Sequence, residues 1–352
     1  MKTNKTNLKS RIFAVMVSVM LLATCFMSTT AFANTDDDAI ATFHKVLTVE
    51  DGVKVPPATF NFTITNGDAN YTDGNTIDAG FKANDVVVNP VSFGPTDTVV
   101  DGEVKKELKV DFTKVNWAAP GVYHYVLTET DGKQDGIKYD KKQYDLYVTV
   151  EYAENGTDLE VKSYKMIDPD KGTNKDDGII NNTYETANLT LKKEVTGNQG
   201  DKNKKFQFTV NITNAVAGTV YAVDLTNAVN AGPAEITVTD EGTVNATYNL
   251  SNGEYVVIKG LTENTNYTIT ETDYSNAGYK TTYKVGAGEA TEGKAYTAEN
   301  MGKDDTSVTF INNKQGTVPT GILLETAPYM ILGAVVLAGI VVLFVTRRRR
   351  SH

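Results

Sequence analysis

The sequence predicts an all-β protein built from two tandem β-sandwiches. Its 352 residues are rich in Thr, Val, Tyr, Asn and Gly, and its interior consists of short runs of alternating apolar and polar residues. Turn dipeptides such as Asp51-Gly52 and Asn252-Gly253 separate these runs, and no interior stretch has the spacing of an amphipathic helix. This combination is typical of antiparallel sandwiches.

Internal repetition predicts two copies of one architecture. The phrase YVLTETD at 125–131 returns as YTITETD at 267–273, and FNFTI at 60–64 returns as FQFTV at 206–210. Because the phrases keep their order, the chain divides near residue 186. We expect domains at 34–185 and 186–316.

The first 33 residues have the pattern of a secretory signal peptide. Basic residues, from Lys2 to Arg11, precede an apolar stretch that ends in Ala31-Phe32-Ala33. Small residues in this arrangement precede a cleavage site, so cleavage is expected after Ala33. A lipoprotein signal at Cys25 is the alternative, but Thr24 stands where Gly or Ala is preferred.

The opposite end resembles a sortase sorting signal. Residues 327–346 carry no charge and are long enough for a membrane-spanning helix, and four arginines follow at 347–350. The pentad at 317–321, Thr-Val-Pro-Thr-Gly, stands just before this span. The resemblance implies cleavage between Thr320 and Gly321 and removal of 322–352.

Charge and cysteine content exclude some classes of partner and of stabilising bond. Without its two ends the chain has a formal charge of about −17, which excludes a nucleic-acid partner. The single cysteine, Cys25, lies in the signal peptide. An exported protein without disulfides must obtain its durability from another source.

No cofactor or metal is expected. GEATEGK at 288–294 has the spacing of a phosphate loop but Ala295 where Ser or Thr belongs. The acidic run 168–178 is followed by Ile179 rather than the bidentate Glu of a calcium loop. The mature part offers His44 and His124 but no cysteine, so a zinc site or a His-assisted nucleophile is not predicted.

Six polar residues are predicted to lie on the apolar faces of their strands. Side chains two apart on a strand lie on one face. On this count the core faces of the predicted strands include these polar residues: Lys45, Glu129 and Asn182 in the first copy, and Lys193, Glu271 and Asn312 in the second. Lys192, the neighbour of Lys193, falls on the polar face.

A buried Lys, Glu and Asn can form an amide. Burial lowers a lysine pKa and raises a glutamate pKa, so a pair can exchange a proton and become neutral. We expect the neutral lysine amine to attack the asparagine Cγ. The protonated carboxyl, from Glu129 or Glu271, would polarise the amide oxygen and pass protons as ammonia leaves. A buried ion pair without a bond is the alternative.

These two triads resemble the intramolecular isopeptide systems of Gram-positive pilins. The order of Lys on a first strand, Glu in a Thr-Glu context and Asn on a last strand is similar to the streptococcal T-antigen-type backbone pilins over the whole mature length. The resemblance implies Cna B-type, immunoglobulin-like domains and a structural subunit of a covalent pilus. Its partners would be other copies of itself, sortase, accessory pilins and cell-wall peptidoglycan. A wall-anchored accessory pilin or adhesin is the alternative.

The resemblance also implies an acceptor lysine for polymerisation. In this family the acceptor stands seven residues before the first bonding asparagine, which gives Lys175 here, and Lys171 is the second candidate. Sortase would join Thr320 of one subunit to this lysine of the next. The protein would then be secreted and covalently attached to the cell wall as part of a pilus.

Overall fold

The computed structural model describes residues 39–72, 75–171 and 178–316, and their architecture confirms the predicted fold class. The described residues form two β-sandwiches, with short 3₁₀ helices at Ala83–Asp85 and Ser275–Ala277. The first sandwich contains these strands: β1 Ile40–Thr48, β2 Ala58–Phe60, β3 Phe62–Asn66, β4 Asn70–Thr72, β5 Asn75–Ala79, β6 Val87–Val88, β7 Val91–Phe93, β8 Glu103–Asp111, β9 Gly121–Glu129, β10 Ile137–Lys138, β11 Gln143–Tyr152, β12 Leu159–Ile167 and β13 Ile179–Tyr184.

Two sheets face each other in the first sandwich. One has the strand order β10-β13-β1-β8-β6, and the other has the order β12-β11-β9-β5-β4, with β3 also paired to β9. The inward residues of both sheets form one apolar core, which includes Leu47, Leu108, Leu127 and Val148. The sharp alternation of β9 and β11 places every second side chain in this core.

The second sandwich repeats this plan. Its strands are β14 Ala187–Thr196, β15 Phe206–Thr213, β16 Val220–Asp224, β17 Glu235–Thr237, β18 Val244–Leu250, β19 Tyr255–Leu261, β20 Asn266–Glu271, β21 Lys280–Val285, β22 Thr291–Glu292, β23 Ala295–Ala298 and β24 Thr306–Asn313. The sheet β17-β16-β19-β14-β24-β21-β22 faces the sheet β18-β15-β20-β23. A separate apolar core, which includes Leu191, Val210, Ile269 and Val308, lies between them.

The two sandwiches meet at a polar junction. Asn264 donates a 2.6 Å hydrogen bond to Asp135, and the Tyr184 hydroxyl donates a 3.4 Å bond to the Gly260 carbonyl. Gly136 has φ +77°, and a Cβ at this position would lie 2.5 Å from the Thr262 methyl group. Only glycine therefore permits this close approach of the two halves.

The predictions for the two ends lie outside the described residues. They concern the signal peptide at 1–33, the pentad at 317–321 and the apolar span after it. In the part of the chain that the structure describes, no helix is long and apolar enough to cross a membrane.

Candidate functional site: two buried Lys-Glu-Asn clusters

The two lysines lie inside the cores. Lys45 and Lys193 are both 0% exposed, and each occupies the central part of a long first strand, β1 or β14. Lys192 is exposed, as its strand phase predicts. Two lysines without solvent contact are rare, because transfer of an ammonium group from water costs several kcal/mol unless the charge is compensated or removed.

The two glutamates approach the lysines from the facing sheet. Glu129 ends β9 and Glu271 ends β20, and both are buried. The Nζ atom of Lys45 lies 2.8 Å from Glu129 Oε2, and the Nζ atom of Lys193 lies 3.0 Å from Glu271 Oε1. Each pair therefore links the two sheets of its sandwich.

The asparagines lie beside the lysines on the same sheet. Strand β13 pairs in parallel with β1, and Lys45 is opposite Ile180, two residues before Asn182. Strand β24 pairs in parallel with β14, and Lys193 is opposite Phe310, two residues before Asn312. An offset of two residues keeps lysine and asparagine on one face of the sheet.

Each asparagine also contacts the glutamate. Asn182 Nδ2 donates to Glu129 Oε1 at 2.5 Å, and Asn312 Nδ2 donates to Glu271 Oε1 at 2.8 Å. The carboxylate in each sandwich thus lies between the lysine amine and the asparagine amide. All three predicted members come together in both copies.

The contact between the carboxyl and the asparagine amide differs from the expected one in both clusters. From the sequence, the carboxyl is expected to polarise the amide oxygen, but in both clusters it contacts the amide nitrogen. The physical reason is hydrogen-bond polarity, since an ionised carboxylate only accepts and the amide NH₂ group only donates. In this arrangement the carboxyl is placed to protonate the departing nitrogen.

Burial shifts both partners toward their neutral forms. It lowers the pKa of Lys45, and it lowers the pKa of Lys193 to about 8, although the adjacent glutamate opposes the shift in each case. Burial likewise raises the pKa of Glu129 and of Glu271 against the opposing effect of the lysine. Both shifts favour the proton transfer that leaves a neutral amine beside a neutral acid.

Aromatic rings cover the amines. The Phe60 ring centroid lies 4.8 Å from Lys45 Nζ, and the Phe206 centroid lies 4.5 Å from Lys193 Nζ. Both phenylalanines are fully buried and exclude water from the clusters. Their role is not predicted from the sequence, although they occupy matching positions in the repeated FNFTI and FQFTV phrases.

Asp140 is a second feature that sequence reasoning missed. Its backbone N–H donates a 2.9 Å hydrogen bond to Asn182 Oδ1. The Asp-x-Lys turn in "YDKKQY" indicates a local side-chain contact, but it gives no sign of proximity to a residue 42 positions away. Only the tertiary structure brings them together.

Of the residues predicted to join one subunit to the next, only Lys171 lies in the described part of the chain. Lys175, Thr320 and Gly321 lie outside the described residues. Lys171, the second candidate acceptor, follows the β12 end, where Lys142 Nζ lies 2.8 Å from the buried Asp168 carboxylate. Lys171 is exposed and is not a member of either cluster.

No group of three or more metal-ligating side chains occurs in the described part of the chain. The arrangement of the two clusters is instead suited to one chemical event, the condensation of a buried amine with a buried amide. Its constituents are the same in both sandwiches.

Comparisons with known proteins identify the family. Residues 41–185 match the Spy0128-like isopeptide containing domain, and residues 187–314 match a domain of unknown function, DUF7601. A protein of Streptococcus pyogenes serotype M1 named Pilin is 30% identical over 301 residues, which cover 83% of this chain and 85% of the relative.

A solved structure extends this similarity. The crystal structure of the major pilin from Streptococcus pyogenes matches with a TM-score of 0.59 and 25% identity, covering 79% of this chain and 99% of that one. The pilus tip adhesin Cpa of the same species is 36% identical over 140 residues, but these are only 18% of that protein. The similarity thus favours a backbone subunit over an accessory adhesin, and the chain belongs to the pilin family as a structural subunit of a cell-surface pilus backbone.

Proposed function

We propose that this pilin forms two internal amide crosslinks, Lys45 to Asn182 and Lys193 to Asn312, and is then joined to other copies of itself by sortase. The observation that carries the first part is the pair of buried Lys-Glu-Asn clusters with the same two-residue register offset. Glu129 and Glu271 act as the proton shuttles. The domains that hold these crosslinks are 34–185 and 186–316.

The reaction needs no cofactor. Lys45 transfers a proton to Glu129, and the neutral Nζ attacks Cγ of Asn182. A new Nζ–Cγ bond forms, and Glu129 delivers its proton to Nδ2, so that the Cγ–Nδ2 bond breaks and ammonia leaves. The surplus Nζ proton passes to the Glu129 carboxylate, which leaves a neutral amide. The second cluster follows the same steps with its own three residues. Each molecule reacts once per cluster, and no turnover of an external substrate is involved.

The fold supplies the rate enhancement. The three side chains are positioned before the reaction by the strand register, so the attack is intramolecular. The buried setting removes the water that would keep the lysine charged. A local environment of this kind is absent in the unfolded chain, so crosslinking follows folding.

The polymer link is proposed to join Thr320 of one subunit to Lys175 of the next. Gly178, the described residue nearest in sequence to Lys175, lies beside β1, because its carbonyl accepts a 2.7 Å bond from the His44 N–H. The end of β1 faces the junction, where Thr48 and Glu263 line one cleft of about 970 Å³. Gly178 therefore lies beside the middle of β1 and not at the end that borders the cleft.

The last described residues of the chain lie at the end of the second sandwich that is remote from the junction. Strand β14 leaves the junction at Ala187 and runs parallel to β24, whose last residue, Asn313, pairs with Thr196. Gly316 then donates to Asn198 at 2.7 Å, at the end of the second sandwich farthest from the first. The positions of Gly178 and Gly316, the described residues nearest in sequence to Lys175 and Thr320, support head-to-tail assembly, with accessory pilins and peptidoglycan as the further partners of the polymer.

Intact-mass measurement of the folded, secreted protein tests the internal crosslinks. The mass should fall short of the sequence mass by two ammonias, and digestion should yield one linked peptide containing Lys45 and Asn182 and another containing Lys193 and Asn312. A fully folded protein with the complete sequence mass would exclude the proposal. Polymer ladders in cell-wall extracts test the intersubunit link separately.

A further inference from the structure

The amide oxygen of Asn182 has a fixed partner. Asn182 is 1% exposed, and its Oδ1 accepts the Asp140 backbone N–H at 2.9 Å while its Nδ2 donates to Glu129. The opposite orientation of the amide would place two donors, Nδ2 and the Asp140 N–H, against each other. The backbone N–H therefore determines which way the amide faces.

The Asp140 side chain holds this N–H in place. One carboxylate oxygen, Oδ1, accepts the Lys142 N–H at 2.8 Å, and the other, Oδ2, accepts the Tyr144 hydroxyl at 2.6 Å. Tyr144 lies on β11 and is 1% exposed. The first bond is an Asx turn, which fixes the backbone locally, and the second ties that turn to the core.

The amide oxygen of Asn312, the equivalent residue in the second sandwich, has different surroundings. Asn312 Oδ1 is buried and has no hydrogen-bond partner among the described residues. The same three residue types are in contact there, although Lys193 Nζ and Asn312 Nδ2 both contact Glu271 Oε1, whereas Lys45 and Asn182 contact different oxygens of Glu129. The two clusters therefore share a nucleophile, an amide and a shuttle but differ in the group that faces the amide oxygen.

We propose that the Asp140 backbone N–H is an oxyanion donor for the Lys45–Asn182 crosslink, with the Asp140 carboxylate as its positioning group, and that the second cluster lacks this donor. This inference rests on the proposed crosslinking function. When Nζ attacks Cγ, negative charge develops on Oδ1, and a donor already within hydrogen-bond distance stabilises this charge without reorganisation. The proton balance through Glu129 is unchanged, since the N–H donates a hydrogen bond and keeps its proton.

The test compares crosslinking rates in the two sandwiches of one molecule. The full chain is synthesised in a cell-free system and quenched in acid at intervals, and the linear and linked peptides of each cluster are quantified by mass spectrometry. In Asp140→Ala the turn loses both side-chain bonds. Since removal of a single oxyanion donor costs about 100-fold in rate, we expect the Lys45–Asn182 rate to fall by at least about 10-fold, while the Lys193–Asn312 rate stays unchanged.

Asp140→Asn is the matched control. Its side-chain oxygen still accepts the Lys142 N–H, and its NH₂ group can donate to the Tyr144 hydroxyl, so the N–H position is kept while the charge is removed. We expect a rate within a few-fold of the parent. If this variant is as slow as Asp140→Ala, the charge and not the N–H position is responsible, and the inference is wrong.

Tyr144→Phe keeps the test decisive if Asp140→Ala does not fold. It removes only the hydroxyl that ties the turn to the core, and we expect it to slow the first crosslink selectively. A parent-like rate of the first crosslink in a folded Asp140→Ala, or in Tyr144→Phe where Asp140→Ala does not fold, would overturn the inference. Absence of both crosslinks in the parent protein would instead overturn the proposed function, so the two failures are distinguishable.

Discussion

Asn182 lies two register positions beyond the residue that pairs with Lys45 on the neighbouring parallel strand, and this offset brings their side chains to the same buried face. Lys193 and Asn312 repeat the offset in the second sandwich. In each case a glutamate from the facing sheet contacts both side chains. Because the three members of each cluster lie within one core, each crosslink can be tested by mutation independently of the other.

Removal of one shuttle should block one crosslink only. Glu129→Ala is expected to restore the mass of one ammonia and to abolish the Lys45–Asn182 peptide, because the amine has no acceptor for its proton. Glu271→Ala should do the same for the other cluster. Intact-mass and peptide analysis of both variants provides the measurement.

Glu194→Ala serves as the control for these variants. Glu194 is adjacent to Lys193 in the chain but belongs to the opposite strand face, so both crosslinks should form. A parent-like mass in either shuttle variant would show that the glutamate is dispensable.

Loss of a crosslink should lower stability strongly. The Lys45–Asn182 bond closes a loop of more than 100 residues, and by the chain-entropy estimate such a closure contributes about 4 to 5 kcal/mol. Asn182→Ala should therefore reduce the free energy of unfolding of the first sandwich by at least this order, measured in guanidinium chloride. Asn181→Ala changes the exposed neighbour on the same strand and should have a much smaller effect.

Reducing agent should leave the stability of the parent unchanged. The only cysteine, Cys25, lies in the predicted signal peptide, so no disulfide is available to reduce. Melting curves with and without a phosphine reductant should coincide. A lower melting temperature in reductant would contradict stabilisation by internal amide crosslinks.

An uncrosslinked second sandwich should become more stable as pH rises above 8. In Asn312→Ala the Lys193 amine stays free, and burial lowers its pKa from 10.5 to about 8 in the folded state. Between these pH values the unfolded chain binds more protons than the folded chain, so the free energy of unfolding increases with pH. Below pH 8 the charged amine is buried, and this stabilisation is lost.

The double variant Lys193→Met/Asn312→Ala isolates this effect. It lacks the titrating amine but keeps the other groups that ionise at alkaline pH. Calorimetric unfolding at several pH values should show the rise in the single variant and not in the double variant. Equal pH dependence in both would contradict a lowered Lys193 pKa.

Polymerisation should depend on one lysine and not on the internal bonds. Lys175→Ala is expected to abolish the high-mass ladder in cell-wall extracts and to leave both internal crosslinks intact, because Lys175 is not one of the six cluster residues. Immunoblots of wall extracts and the mass of the monomer provide the two measurements.

Lys171→Ala is the matched control from the same loop region. A ladder that persists in Lys175→Ala and disappears in Lys171→Ala would assign the acceptor to Lys171. Persistence in the double variant would show that the subunits are joined elsewhere. Thr320→Ala should abolish the ladder in every background.

The sequence by itself determined which residues are buried. Strand alternation is local, so the burial of Lys45 and Lys193 and the exposure of Lys192 follow from their neighbours, and the structure confirms them. The repeated phrases likewise indicated two similar sandwiches. The chemical role of the clusters and the polymer acceptor stay predictions, supported by the family and by the geometry.

Tertiary structure alone decided how these residues meet. The parallel pairing of β1 with β13 joins segments far apart in the chain, and the direction of each asparagine amide depends on donors and acceptors from other strands. The Asp140 N–H reaches Asn182 because a turn is tied to the core through Tyr144, whereas Asn312 has no equivalent among the described residues. Such differences arise from long-range register and hydrogen-bond direction, which strand periodicity does not encode.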